Sequence, residues 1–132
     1  MTTRGIRNNN PLNIRKGNNW VGEVKGNDAS FETFQSMAYG YRAAIIILHK
    51  YYTDYDCNTI GKIISRWAPK NENNTRNYIA TVSRKTKIPQ GAKISWSEST
   101  ICAIVSAMTF VENGIQANSD DVLEGWKLAN KQ

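Results

Sequence analysis

Apolar residues recur at helical spacing over five stretches of the chain. Met37, Tyr41, Ala44, Ile45, Leu48 and Tyr52 repeat every three or four positions, which predicts a helix launched from Ser36. Ile60, Ile63, Ile64 and Trp67 mark the inward face of a second, capped by Asn58 or Thr59 and stopped by Ala68-Pro69. A third carries Tyr78, Ile79 and Val82 after a cap at Asn74 or Thr75, and its basic end, Arg84-Lys85-Thr86-Lys87, suits the helix dipole. The most hydrophobic helix follows: Ser95-Trp96-Ser97-Glu98 has the spacing of a capping box, and Ile101, Ile104, Val105 and Met108 lead to Glu112, with Gly114 as the terminating residue. A final helix capped at Ser119 packs Val122, Leu123, Trp126 and Ala129.

The period shortens only once. Trp20-Val21-Gly22-Glu23-Val24 and Ser30-Phe31-Glu32-Thr33-Phe34 predict two short strands joined through Lys25-Gly26-Asn27-Asp28. Ahead of them, Asn8-Asn9-Asn10-Pro11-Leu12-Asn13 resists regular structure, because Asn side chains bond nearby backbone and Pro11 excludes the preceding residue from the helical region. This segment is either a polar terminus or an ordered loop lining a site; Ile6, Leu12 and Ile14 offer anchors for the second. Five helices and one small antiparallel hairpin give an α+β fold, mainly helical, in a single domain over residues 1–132.

Composition narrows the function classes. Hydrophobic content of 40% with four Trp, six Tyr and three Phe supports a packed core, and the formal charge of +6 favours polyanionic partners. No nucleic-acid module accompanies the charge, so nucleic acid is not expected as a partner. Cys57 and Cys102 have no metal-site spacing, and whether they are bonded is open. The sequence has no run near the roughly 18 apolar residues of a membrane span and no secretory signal. It also lacks a Walker loop, a dinucleotide fingerprint and a nucleophile elbow, so neither cofactor nor metal is expected. His49 has no partner of a catalytic or ligating pattern.

What remains is a carboxylic acid on an apolar stripe, flanked by amide-rich loops and aromatics. Glu112 either frays into water or serves as a general acid, for which desolvation would favour the protonated form. Glycoside cleavage is the chemistry such a set can serve. Glu23 is the first candidate for a second carboxylate and Glu32 the next. Asn9, Asn10, Asn13, Asn73, Thr75 and Tyr78 are candidates for binding the amides and hydroxyls of an amino sugar, and Trp20 either packs on the core or stacks on a sugar ring. Gly40, early in its helix, marks a close helix crossing or the approach of a ligand to backbone.

Several motifs together resemble a family of tailed-phage and prophage proteins: Arg4-Gly5-Ile6-Arg7-Asn8-Asn9-Asn10-Pro11-Leu12-Asn13-Ile14-Arg15, Trp20-Val21-Gly22, Phe31-Glu32-Thr33-Phe34 with Gly40-Tyr41-Arg42-Ala43, and Trp67-Ala68-Pro69 through Glu72-Asn73-Asn74-Thr75 and Tyr78-Ile79. Members are described as virion structural proteins and grouped with the lysozyme-like superfamily. Glu112-Asn113-Gly114 is also similar to the catalytic helix end of wall glucosaminidases and lytic transglycosylases, although there the helix precedes the Asn-Pro loop. The resemblance therefore implies a lysozyme-like, circularly permuted domain. It also implies peptidoglycan glycan strands as partner, with other virion proteins, for a monomer located in the virion or at the bacterial wall after a cytoplasmic stage. Glu112 would protonate the β-1,4 oxygen between N-acetylmuramic acid and N-acetylglucosamine, and Arg7 or Arg15 would meet lactyl or peptide-stem carboxylates. A non-catalytic virion or wall-binding protein is the alternative.

Overall fold

A computed structural model describes residues 2–69 and 72–131, with Glu72 and Asn73 described by backbone alone. In chain order the elements are α1 (Arg4–Arg7), β1 (Glu23–Val24), β2 (Thr33–Phe34), α2 (Met37–Asp54), α3 (Ile60–Trp67), α4 (Glu72–Thr86), α5 (Glu98–Asn113) and α6 (Ser119–Ala129). The fold is mainly helical α+β, as the periodicity predicts. No helix among the described residues is long and apolar enough to cross a membrane.

Three local expectations need correction. The N-terminal stretch is not all loop: Pro11 constrains only its neighbour, so Arg4–Arg7 closes one helical turn with Thr3 Oγ1 accepting from the Ile6 N–H. The hairpin is shorter than predicted, with only Glu23 opposite Phe34 and Val24 opposite Thr33. Trp20–Glu23 turns instead of extending, since the Glu23 N–H bonds the Trp20 carbonyl and Gly22 takes a φ of 85°. Two caps also move by one or two residues. Ser97, not Ser95, accepts from the Thr100 N–H to start α5, and Asn118, not Ser119, accepts from the Asp121 N–H to start α6. Thr59 caps α3 as expected, accepting from the Lys62 N–H.

The apolar faces meet in one core. Tyr41, Ile45 and Leu48 of α2, Ile60, Ile63 and Ile64 of α3, Val82 of α4, and Ile101, Ile104 and Met108 of α5 are all fully buried, joined by Leu12 and Phe34. Burying each such side chain contributes about 1.5–3 kcal/mol, so this set dominates the fold's stability. Burial also pushes the Tyr41 phenol up to about 12, while its hydroxyl shares a 2.9 Å hydrogen bond with Thr109 on α5. Cys57 and Cys102 are both free thiols.

Helices α2 and α6 cross where Gly125 is buried against Tyr41. A Cβ at Gly125 would lie 2.4 Å from Tyr41 Cβ and 3.0 Å from the Ala38 carbonyl oxygen. Gly125→Ala gains about 1 kcal/mol of helix propensity but overpacks the crossing at a cost of about 1–3 kcal/mol. The clash involves backbone and a Cβ, which rotamer changes cannot relieve. We therefore expect net destabilisation in urea unfolding; an unchanged or raised midpoint would contradict this packing.

Candidate active site

Asparagine side chains hold the N-terminal loop in shape. Asn10 is fully buried: its Nδ2 donates to the Ile14 and Glu32 carbonyls at 2.9 Å each, and its Oδ1 accepts from the Ile14 N–H. Asn9 and Asn13 occupy left-handed conformations, with φ of 51° and 55°, which Asn tolerates better than most residues. Asn9 Nδ2 donates to the Phe34 carbonyl at 3.1 Å, fastening the loop to β2. From the other side α2 supports it, because Gly40 leaves room for the Asn9 carbonyl and the Pro11 ring. Gly40 thus receives loop backbone and a proline ring, neither the helix crossing nor the ligand approach that its sequence position suggested.

The end of α5 docks on the same loop. Asn113 is buried and donates through Nδ2 to the Pro11 carbonyl at 2.7 Å and the Thr109 carbonyl at 3.2 Å, while its Oδ1 accepts from Thr3 Oγ1 at 2.6 Å. Gly114 ends the helix in a left-handed conformation, with its N–H 2.7 Å from the Phe110 carbonyl. One residue before this anchor, Glu112 is half-buried beneath the stripe of Ile101, Ile104, Val105 and Met108. Asn13 Nδ2 donates to Glu112 Oε1 at 2.9 Å and the Tyr78 hydroxyl donates to Oε2 at 3.0 Å. Three sequence-predicted site residues, from the loop, α4 and α5, therefore meet at one carboxyl group.

Two neutral donors, one on each oxygen, fix the plane of the Glu112 carboxyl. Tyr78 itself is buried, and desolvation together with the adjacent Glu112 charge holds its phenol far above the usual range. It therefore stays a neutral hydrogen-bond donor and is no candidate for a base. Beside it opens a groove of about 330 Å³ lined by Arg15, Trp67, Ala68, Pro69, Thr75 and Tyr78. The Thr75 hydroxyl donates to the Ala68 carbonyl across the gap between α3 and α4, so this candidate residue both shapes and lines the groove.

Two cations lie against the Phe31 ring next to this site. The Arg4 guanidinium carbon lies 3.7 Å and that of Arg15 4.7 Å from the Phe31 ring centroid. Arg15 pairs with Phe31 through an antiparallel bridge, and Arg4 Nε donates to Asn13 Oδ1 at 3.4 Å. Two such charges repel by roughly 0.5–2 kcal/mol, depending on how much water screens them. Cation–π attraction to the shared ring, about 0.5–1 kcal/mol each, offsets that repulsion. Arg7, the other sequence candidate for carboxylate binding, instead donates to the Thr2 carbonyl at 2.9 Å.

Other expected site residues lie elsewhere. Asn10 has no exposed surface, so the expectation that it meets substrate gives way to a fastening role. Trp20 packs partly buried against the core. Glu23 accepts from the Trp20 N–H at 2.7 Å and lines, with Glu32, a separate hollow of about 480 Å³ that does not include Glu112. Asn73 lies outside the residues whose side chains are described.

Glu32 is buried, and desolvation, reinforced by Glu23 and partly opposed by Lys16, pushes its carboxyl above the usual range. The folded chain then binds more protons than the unfolded chain between the ordinary and the raised value, so stability falls as pH rises through that window. Glu32→Gln is accordingly expected to raise the unfolding midpoint at neutral pH and to lose this advantage below about pH 3.5, where Glu32 is protonated in both states. An advantage of equal size at both pH values would contradict the burial argument.

Arg4, Phe31, Thr3 and Asn113 are the site neighbours that the sequence did not single out as such. Only Asn113, beside Glu112 at a helix end, carried a local hint. No family model matches the chain. Protein P5 of Pseudoalteromonas phage PM2 is 42% identical over 130 residues, covering 94% of this chain and 80% of the phage protein. The chain belongs to the family of this phage protein. That membership agrees with the phage origin that the sequence motifs implied.

Proposed function

We propose that the protein is a phage virion component, one lysozyme-like domain over residues 1–132, that engages peptidoglycan glycan strands and cleaves them with Glu112 as proton donor. The observation that carries this reading is the convergence of Asn13 and Tyr78 on the two oxygens of Glu112, beside a groove of sugar-binding dimensions. The phage relative supports the virion setting. Contact between the N-terminal loop and the end of α5 supports a permuted order of the lysozyme-like elements, since it brings the two ends of the chain's motif set together despite their separation in sequence.

In this mechanism the Glu112 proton passes to the bridging oxygen as the bond from the anomeric carbon breaks. Glu23 sits in a different hollow, so the reading favours a single-acid route over one with paired carboxylates. The sugar's C6 hydroxyl oxygen then bonds the anomeric carbon, closing an anhydro ring, and its proton returns to Glu112. Tyr78 and Asn13 hold the carboxyl throughout, and Thr75 with the groove wall orients the N-acetyl group.

The same separation of Glu23 from Glu112 favours a second reading, a wall-binding virion protein without turnover. Incubating the protein with purified sacculi separates the two. Release of new reducing or anhydro ends above buffer is expected; sedimentation with sacculi without any chain cleavage would leave only binding, and neither would remove the wall as partner.

A further inference from the structure

We propose that Arg4, Phe31 and Arg15 form a carboxylate subsite beside Glu112, which selects glycan strands bearing acidic substituents over neutral ones. The inference rests on reading the groove beside Tyr78 and Glu112 as a glycan site, and deepens it. Both guanidinium carbons lie within 5 Å of one ring centroid, at 3.7 and 4.7 Å, so they are no further apart than the sum of those distances. Neither has a carboxylate within the 4.0 Å of an ion pair among the described residues. Asp28, the acid whose charge is felt by Arg4, is already occupied: it accepts from the Ser30 and Phe31 N–H groups and from Asn8 Nδ2.

Placement ties this cation pair to the reaction centre. Arg15 lines the groove together with Tyr78, and Arg4 bonds the same Asn13 side chain that bonds Glu112. The antiparallel bridge between Arg15 and Phe31 sets where those two side chains leave the backbone, and the bond to Asn13 tethers Arg4, so both guanidinium groups are anchored on the same ring. A planar carboxylate matches the bidentate fork of a guanidinium and would offset the mutual repulsion of the two cations. On a wall glycan that carboxylate comes from the lactyl ether of a muramic sugar or from the peptide stem.

The test is a binding titration of the non-cleaving Glu112→Gln chain with three tetrasaccharides: a wall fragment stripped of its stem so that the lactyl acid is free, the same fragment with its stem, and a neutral N-acetylglucosamine oligomer. At least one acidic fragment is expected to bind about tenfold more tightly than the neutral oligomer, and which one identifies the source of the carboxylate. Arg4→Gln with Arg15→Gln should bring the acidic-to-neutral ratio to about one, and Arg15→Lys should keep part of it because charge survives without the planar fork. Equal affinity for acidic and neutral fragments, or a preference that survives the double substitution, overturns the subsite while leaving a glycan site in place. Binding of none of the three overturns both.

Discussion

Glu112→Gln is expected to lower cleavage of wall glycan by roughly 10²- to 10⁴-fold, the contribution typical of a positioned general acid. The substitution keeps the shape at the end of α5 and one acceptor oxygen, turns the other into an NH2 donor that the Tyr78 hydroxyl can accept by rotating, and has no proton of suitable acidity to give. The Asn113 anchor to Pro11 and Thr3 does not involve position 112, so the helix end stays docked. Thermal unfolding should accordingly shift little, by no more than about 1 kcal/mol for an altered half-buried hydrogen bond. Loss of activity together with collapse of the fold would assign Glu112 a structural role, and full activity would remove it from the chemistry.

Gly40→Ala is expected to damage both stability and activity. A Cβ at position 40 would lie 2.3 Å from the Asn9 carbonyl oxygen and 2.7 Å from Pro11 Cδ. Helix propensity favours Ala by about 1 kcal/mol, whereas overpacking against fixed backbone costs about 1–3 kcal/mol or more. The clash wins because a main-chain carbonyl and a proline ring have no rotamer into which to retreat. Relief requires the loop to lift from α2, and the loop carries Asn13, whose Nδ2 holds Glu112. Urea unfolding and release of reducing or anhydro ends should therefore fall together, in contrast to the separation expected for Glu112→Gln. A variant with native activity and a native midpoint would show that the loop is not seated as described.

The long helices were legible because each repeats apolar residues over several turns, and every named residue of the stripe leading to Glu112 is fully buried. What the pattern missed is short or local. One turn of α1 carries too few residues for a period, and the cap of α6 shifted from Ser119 to Asn118 because Asn and Ser are both favoured caps and stand side by side. Strand length was overestimated where Gly22 permits a turn and Asp28 gathers the N–H groups of Ser30 and Phe31.

The site was legible residue by residue but not as an arrangement. Glu112 announced itself by sitting on an apolar stripe, and Tyr78 and Asn13 by their chemistry. Which asparagine meets the Glu112 carboxyl and which is locked inside depends on partners distant in sequence: Asn10 bonds Glu32 across 22 positions, whereas Asn13 reaches Glu112 across 99. The Arg4 and Arg15 pair was invisible for the same reason, since its meeting point is a ring on another segment.

Whether Glu112 acts as a lone proton donor for glycan cleavage is read from the masses of the soluble products of digested sacculi. Disaccharide-peptides lighter by one water than hydrolysis products, from the anhydro ring, are expected with the wild-type chain and not with Glu112→Gln. Sacculi that yield no sugar-chain fragments with the folded wild-type protein, or identical fragments in equal amount from both proteins, would contradict it.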